Sequence, residues 1–506
     1  MWLRVERWLL GLTVLAGVGM MWLAPRLPMG DLAQHAGQVA LWRDLLTGQS
    51  PWSELVRINL MTPYLIGYGL MLPISFVFSM EDTTRIAISL GFLSFVAAAI
   101  TLRRQLGSDR RLDWMFLLSY FGFAWKWGFL TFLLASPVGL VFLVLAHRHG
   151  QVPALRRGIA LWICGLVLLF SHGLIFLAMV WLGGMLALHF VVLGRPRRPA
   201  ARLWPYVALS ACALLFRLLT QDMNGAMQIE GFDYGTPILK RFGYLLVCLG
   251  DMNNTGSMAL PLLTVLGLAL PFLLGLKANR REALVLAGSF ALLLAMLPTD
   301  ALQTGLLFPR FALFVPPMLA IAFAAAPQGS QTSARSLAAL GLAMIAVWSV
   351  LVIQASRIHS FARESRPFET LLAAAEPGKR ALAMVFELES DAAVHDSVYM
   401  HYASWYQADK HGFVDFNIAD FHPQVVRFKP GKSPGINQLF GWNPEKYAFS
   451  GLDMTIYTYF FVRGSSGQVG KLKRSSPCNV QTLAEDHEWY LLEQSQCPVK
   501  WPVQQN

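Results

Sequence analysis

Asp31 and His35 stand four residues apart in the stretch from Gly30 to Pro63. On a helix that spacing turns a carboxylate and an imidazole to the same side. Such a pair can orient the ring or share a proton with it, and a carboxylate within reach of a hydroxyl can act as a general base. Asp31 could equally be an N-cap accepting backbone N–H bonds, and His35 a structural histidine. A second set of residues is basic: Arg57, Lys126, Lys240, Arg241 and Arg310. These suit phosphate oxygens, Arg57 and Arg310 best, because a guanidinium offers a planar fork. Snorkelling to an interface is the alternative role for them all. Lys126, between Trp125 and Trp127, also fits an aromatic belt. His172 in Ser-His-Gly is an ionisable group at membrane depth, which marks a cavity or a satisfied interhelical contact. Glu54, Asp222, Glu230 and Asp233 are further acids, suited to a polar ligand or simply solvated.

The elements that must hold these residues are membrane helices. Of 506 residues, 55% are apolar and 14% charged, with a mean hydropathy of +0.46. Soluble domains carry about 25% charged residues, so the chain reads as multi-spanning. The net charge of +11 does not point to nucleic acid. Residues 355–506 hold 15 Lys and Arg against 16 Asp and Glu, leaving 26 against 14 in residues 1–354. The excess lies in short clusters between apolar runs, as cytoplasmic loops require.

Arg4 and Arg7 precede an apolar run from Trp8 to about Leu23, read as an uncleaved first helix with its N-terminus inside. Clusters at Arg103–Arg111, Arg148–Arg157, Arg195–Arg202 and Lys277–Arg281 are assigned to the cytoplasm. Between the first three lie two apolar stretches of about 35 residues, each long enough for two short crossings. Their turns fall near 124–127 and 171–173, on the outer side. Residues 63–79 carry Pro63, Gly67, Gly69 and Pro73. If they crossed, the charge rule would break, so this segment is read as re-entrant or in-plane. The expected fold is mainly α: a polytopic bundle of about eleven spans, including 85–102, 203–220, 257–276, 283–297, 311–326 and 337–354. Domain 1–355, with a first outer loop at 27–62, precedes an extracytoplasmic α/β domain at 356–506.

That tail has ordinary soluble composition and is long enough to fold alone. Cys478 and Cys497 are its only cysteines and should pair if it lies outside the cytoplasm, free thiols being the alternative. Cys164, Cys212 and Cys248 sit in apolar runs and read as small hydrophobes. P-loop and Rossmann fingerprints are absent, as are metal-ligand spacings.

Gly30-Asp31-Leu-Ala-Gln-His35, the helix ending at Leu46-Thr-Gly48-Gln-Ser-Pro51, and Thr62-Pro63-Tyr64 resemble the first outer loop of GT-C glycosyltransferases. The Asp with His four residues on is similar to the less characterised bacterial members. Leu307-Phe-Pro-Arg310-Phe-Ala-Leu-Phe-Val-Pro316-Pro resembles the arginine-aromatic, proline-rich lead-in to a late helix there. Pro377-Gly-Lys-Arg and His401-Tyr402 resemble outer domains appended to some members. The resemblance implies an inner-membrane enzyme that moves a sugar from a polyprenyl-phosphate carrier to a glycan, lipid or protein acceptor at the periplasmic face. It gives Asp31 the role of base or of ligand to a divalent cation, Mg or Mn, and makes His35 its possible partner. Many members carry two adjacent acids where this chain has Gly30-Asp31. A polysaccharide polymerase or ligase, or a non-catalytic membrane component of envelope polysaccharide assembly or transport, is the alternative.

Overall fold

The structure is a computed structural model describing residues 2–192, 199–220, 232–235, 237–250, 259–301, 305–326, 333–421, 423–436, 438–444 and 454–497. Its chain divides into two compact units, one of residues 1–21 with 87–355 and one of residues 22–86 with 356–506.

Among the described residues, five helices are apolar and long enough to cross a membrane by length and composition: Met80–Gln105, which begins in the second unit, Leu130–Gln151, Gly173–Val192, Pro199–Thr220 and Ala334–Glu364, which ends in the second unit. Helix α1 is Trp2–Met20. The expected turn near 171–173 is a single residue: Leu155–Ser171 and Gly173–Val192 are joined by His172 alone. The expected crossing before 124–127 is built from pieces. A 3-10 turn at Arg110–Met115 leads to short helices Phe116–Ser119 and Phe123–Lys126. Gly122 interrupts them where a Cβ would meet the Cys248 carbonyl oxygen at 2.7 Å. The two long helices Leu130–Gln151 and Gly173–Val192 approach closely because Gly139 leaves room for Ile175 and Met179, as small residues do between membrane helices. A two-residue ladder, β2 (Phe232–Asp233) with β3 (Asp300–Ala301), closes one end of the first unit.

The second unit is built on a five-stranded sheet, in the order β5-β4-β7-β9-β8. Its strands are β4 (Arg380–Val385), β5 (Phe413–Asp415), β7 (Tyr459–Arg463), β8 (Asn479–Asp486) and β9 (Trp489–Ser495). β4 runs parallel to both of its neighbours, and the β7-β9-β8 part is antiparallel. Cys478 and Cys497 form a disulfide.

The sequence boundary at 355/356 put the first outer loop with the membrane part, but in the fold that loop packs with the tail. Helix α2 (Leu32–Leu46) buries nearly its whole circumference, including Gln34, His35, Gln38 and Asp44, and lies along the helix Ser404–Lys410. Gly37 permits this: a Cβ there would meet Gln407 Nε2 at 2.9 Å. β1 (Val56–Ile58) then pairs antiparallel with β6 (Val426–Phe428). The physical cause is polar. Gln34 Nε2 donates to the Phe416 carbonyl at 2.8 Å, its Oε1 accepts from Ile418 N at 3.2 Å, and Gln38 Oε1 accepts from Val426 N at 2.9 Å. Tail backbone groups that would otherwise be buried unpaired are thereby satisfied.

Helix α3 (Leu65–Ser75) has 11 residues. At about 1.5 Å per residue it reaches roughly 16 Å, about half a hydrocarbon core. Helix α4 (Met80–Gln105) starts with Glu81 and Asp82 and ends with Arg103 and Arg104, each matched to the helix dipole. Between α1 and α2, Arg26 is buried among Glu81, Glu369 and Asp409, with Nη2 at 2.9 Å from both the Glu81 and Asp409 carboxylates. Trp405 and Phe368 face its guanidinium at 5.2 and 5.8 Å.

Candidate functional site

Asp31 occupies the N-cap position of α2, but its side chain makes no capping hydrogen bond. Its carboxylate is partly exposed and lies 3.7 Å from His401 Nε2. His401 is fixed on its other side, where Gln34 Nε2 approaches Nδ1 at 3.1 Å. Because the Gln34 amide oxygen is taken by Ile418 N, the nitrogen points at His401, so Nδ1 accepts and the ring proton sits on Nε2, toward Asp31. Phe416 stacks on the ring at 5.5 Å. Burial lowers the His401 pKa to about 4, which keeps the ring neutral near pH 7.

His35 lies one turn further along α2, with Nδ1 2.7 Å from the Tyr68 hydroxyl. That hydroxyl donates its only proton to Gln424 Oε1 at 2.6 Å, so His35 Nδ1 carries the hydrogen between them. The imidazole therefore ties α2 to α3 and to the tail. Asp44, at the far end of α2, accepts from His411 Nδ1 at 2.6 Å.

Arg57 is exposed on β1, directly across from Arg427 on β6. Burial first, and then the Arg57 charge, lower the Arg427 pKa. Like charges placed opposite each other cost stability, and an anion between them would recover it. Glu54 is solvent-exposed, 3.8 Å from Lys429 Nζ.

In the other unit, Arg241, Arg310 and His172 each pack against aromatic rings, and Lys126 ends a short helix beside that of Arg310. Arg310 is buried, with its guanidinium 3.6 Å from the Phe129 ring centre, and donates to the carbonyls of Gly305 (2.9 Å) and Leu306 (3.1 Å). Its short helix, Leu307–Arg310, packs on Phe123–Lys126, whose last residue is the buried Lys126. His172 is buried edge-on against Phe132 at 5.2 Å, and Phe311 meets the same ring at 5.7 Å. Arg241 lies over Tyr234 and Phe308 and donates to Tyr234 O at 2.6 Å. Lys240 is exposed, and Asp233 is an exposed member of the β2–β3 ladder. Asp222 and Glu230 lie outside the described residues.

Sequence reasoning missed His401, Gln34 and Gln38 as partners of the first loop. His401 was visible only as part of His401-Tyr402. The glutamines look like any polar helix residues until the backbone groups they satisfy are known. The ring nitrogen nearest Asp31, His401 Nε2, holds its proton toward the carboxylate and in that form is not a metal donor. Among the described residues, no group of three or more His, Cys, Asp or Glu side chains is arranged to hold a metal.

No family model matches the chain, and no curated protein matches it. Among solved structures it is similar to the crystal structure of ArnT from Cupriavidus metallidurans bound to undecaprenyl phosphate, with a TM-score of 0.57 and 11% identity over 97% of each chain. The chain thus shares the fold of that structure, mainly helical with apolar helices long enough to cross a membrane and a C-terminal sheet domain.

Proposed function

We propose that this protein is a membrane glycosyltransferase that takes a sugar from a polyprenyl-phosphate carrier and passes it to an envelope glycan, lipid or protein acceptor at the periplasmic face of an inner membrane. The observation that carries the reading is a likeness running over almost the full length of both chains to a protein bound to undecaprenyl phosphate. The N-terminus is then cytoplasmic and the tail periplasmic, in line with the Arg and Lys clusters.

Asp31 is the base in this reading. It removes the acceptor hydroxyl proton as that oxygen attacks the anomeric carbon. The bond from that carbon to the carrier's phosphate oxygen breaks, and the polyprenyl phosphate leaves with the electron pair. His401 directs its Nε2–H at the carboxylate, holding it ionised and oriented. The 3.7 Å separation shortens to a hydrogen bond when the acceptor closes the site. Arg57, in the unit that holds Asp31, is assigned to phosphate oxygens, and Arg310, Lys126 and His172 are the cationic and polar groups assigned to the carrier within the other unit. His35 serves by fixing α2. No step uses a metal.

The test is transfer of sugar from a purified polyprenyl-phosphate donor by the full-length protein and by Asp31→Asn. Insertion into the membrane should be unchanged and transfer should fall by about 10²-fold or more, the usual contribution of a general base. Full transfer by Asp31→Asn removes Asp31 from the mechanism. Unchanged lipid-linked sugars and envelope glycans on loss of the gene overturn the function itself and leave an assembly role.

A further inference from the structure

A cavity of about 540 Å³ lies between α1 and α4, away from every residue assigned above. Its two ends differ in chemistry. Along one side the walls are apolar, from Leu10, Gly11 and Val14 of α1 and Leu93, Val96 and Ala97 of α4. At the other end stand Arg7, Arg103, Arg104 and Arg110, with Glu6 and Asp113.

The charges do not cancel. Arg103 is spent on Asp113, which it grips with Nε and with Nη2 (3.1 Å), and on the Ser108 carbonyl at 3.0 Å. Glu6 is held through Oε1 by Trp114 Nε1 at 3.1 Å. Arg7, Arg104 and Arg110 then face one carboxylate. Arg110 Nε and Nη2 are buried without a hydrogen-bond partner among the described residues, a costly state for a cation's donors. Three guanidinium groups at one end of an apolar slot beside α4, a helix apolar enough to cross a bilayer, call for an occupant that is anionic at one end and hydrocarbon at the other. A soluble anion would leave the apolar walls unused.

We infer that this cavity is a binding site for an anionic phospholipid of the cytoplasmic leaflet, with the headgroup phosphate on Arg104 and Arg110 and an acyl chain along α1 and α4. The site lies at the end of the chain that the arginine clusters assign to the cytoplasm.

The full-length protein in maltoside detergent tests this, by native mass spectrometry and thermal melting. The probes are short-chain phosphatidylglycerol, phosphatidylcholine of the same chain length, and inorganic phosphate. Phosphatidylglycerol should bind and raise the melting temperature, while the other two should not. Arg104→Gln with Arg110→Gln should weaken phosphatidylglycerol about thirtyfold, the loss expected for two basic side chains at an anionic lipid site. Gly11→Leu leaves the charges alone and fills the slot. Its new side chain starts in open space, with nothing within 4 Å of the added Cβ, so it should abolish binding without disturbing α1. Equal effects of phosphatidylcholine or free phosphate overturn the proposal, as does wild-type affinity in either variant. Sugar transfer is not read in any arm, so failure here is separate from failure of the function above.

Discussion

Replacing Arg26 by Met removes the one cation that three carboxylates share. In the native unit its guanidinium is nearly inaccessible and meets Glu81, Glu369 and Asp409, which come from three separate elements. Methionine fills much of the volume between Phe368 and Trp405 but offers no charge. Breaking a buried ion pair by removing one partner costs about 3–5 kcal/mol. For a unit of this size that corresponds to a melting temperature lower by roughly 10 °C. The pH dependence separates this cause from lost packing. Burial already pushes the Asp409 pKa from 3.8 up to about 6, against the lowering effect of Arg26, and it also raises that of Glu369. A carboxyl whose folded pKa is raised contributes stability fully below its unfolded pKa, and that contribution is lost as pH rises through the folded value. For Asp409 the window runs from 3.8 to about 6. Without Arg26 both carboxyls shift further up, so the variant binds additional protons as pH falls from 7.5 to 5.5. Each extra proton recovers about 1.4 kcal/mol per pH unit. The gap to wild type should therefore narrow by roughly half at pH 5.5. Thermal melting of the purified full-length protein, followed by tryptophan fluorescence, measures both numbers. Melting within 2 °C of wild type at pH 7.5, or an equal gap at the two pH values, refutes the reasoning.

Other substitutions address single links. His401→Phe keeps the stack on Phe416 but removes the Nε2–H directed at Asp31. It should lower kcat about tenfold and shift the acidic limb of the rate–pH profile upward, and an unchanged profile would show that His401 does not act on Asp31. Arg310→Lys keeps the charge but loses the fork and the ring stacking over Phe129, so KM for the lipid donor should rise several-fold; equal KM values would remove Arg310 from donor binding. Reducing the Cys478–Cys497 bond, which spans 19 residues, should cost about 3 kcal/mol of tail stability, read as a lower melting temperature in reductant.

The membrane class and the mixed α/β tail were legible because composition and hydrophobic run length report burial directly. So was the turn at His172, since a polar triplet between two apolar runs has few other places to go. The broken path through Arg110–Lys126 was not. Residues 114–125 are as apolar as a regular span, and the break depends on how closely Gly122 meets a carbonyl from residue 248. The attachment of α2 to the tail was hidden for a related reason. It rests on amide hydrogen bonds between residues more than 380 positions apart, and no local pattern announces them. At the candidate site, the types and spacing of Asp31 and His35 were readable, but their partners were not. Periodicity put both on one helix face; the fold gives His35 to Tyr68 and brings His401 to Asp31.

The glutamines of α2 also set an order of events in the cell. Gln34 leaves the ribosome 382 residues before Phe416, whose carbonyl it must reach. At about 5–20 residues per second, that helix waits roughly 20–75 s for its counterpart. A prematurely terminated chain can insert its early spans and still never assemble the surroundings of Asp31. Truncated products should therefore lack the surroundings of Asp31 and present an unpaired β1 edge to quality-control proteases.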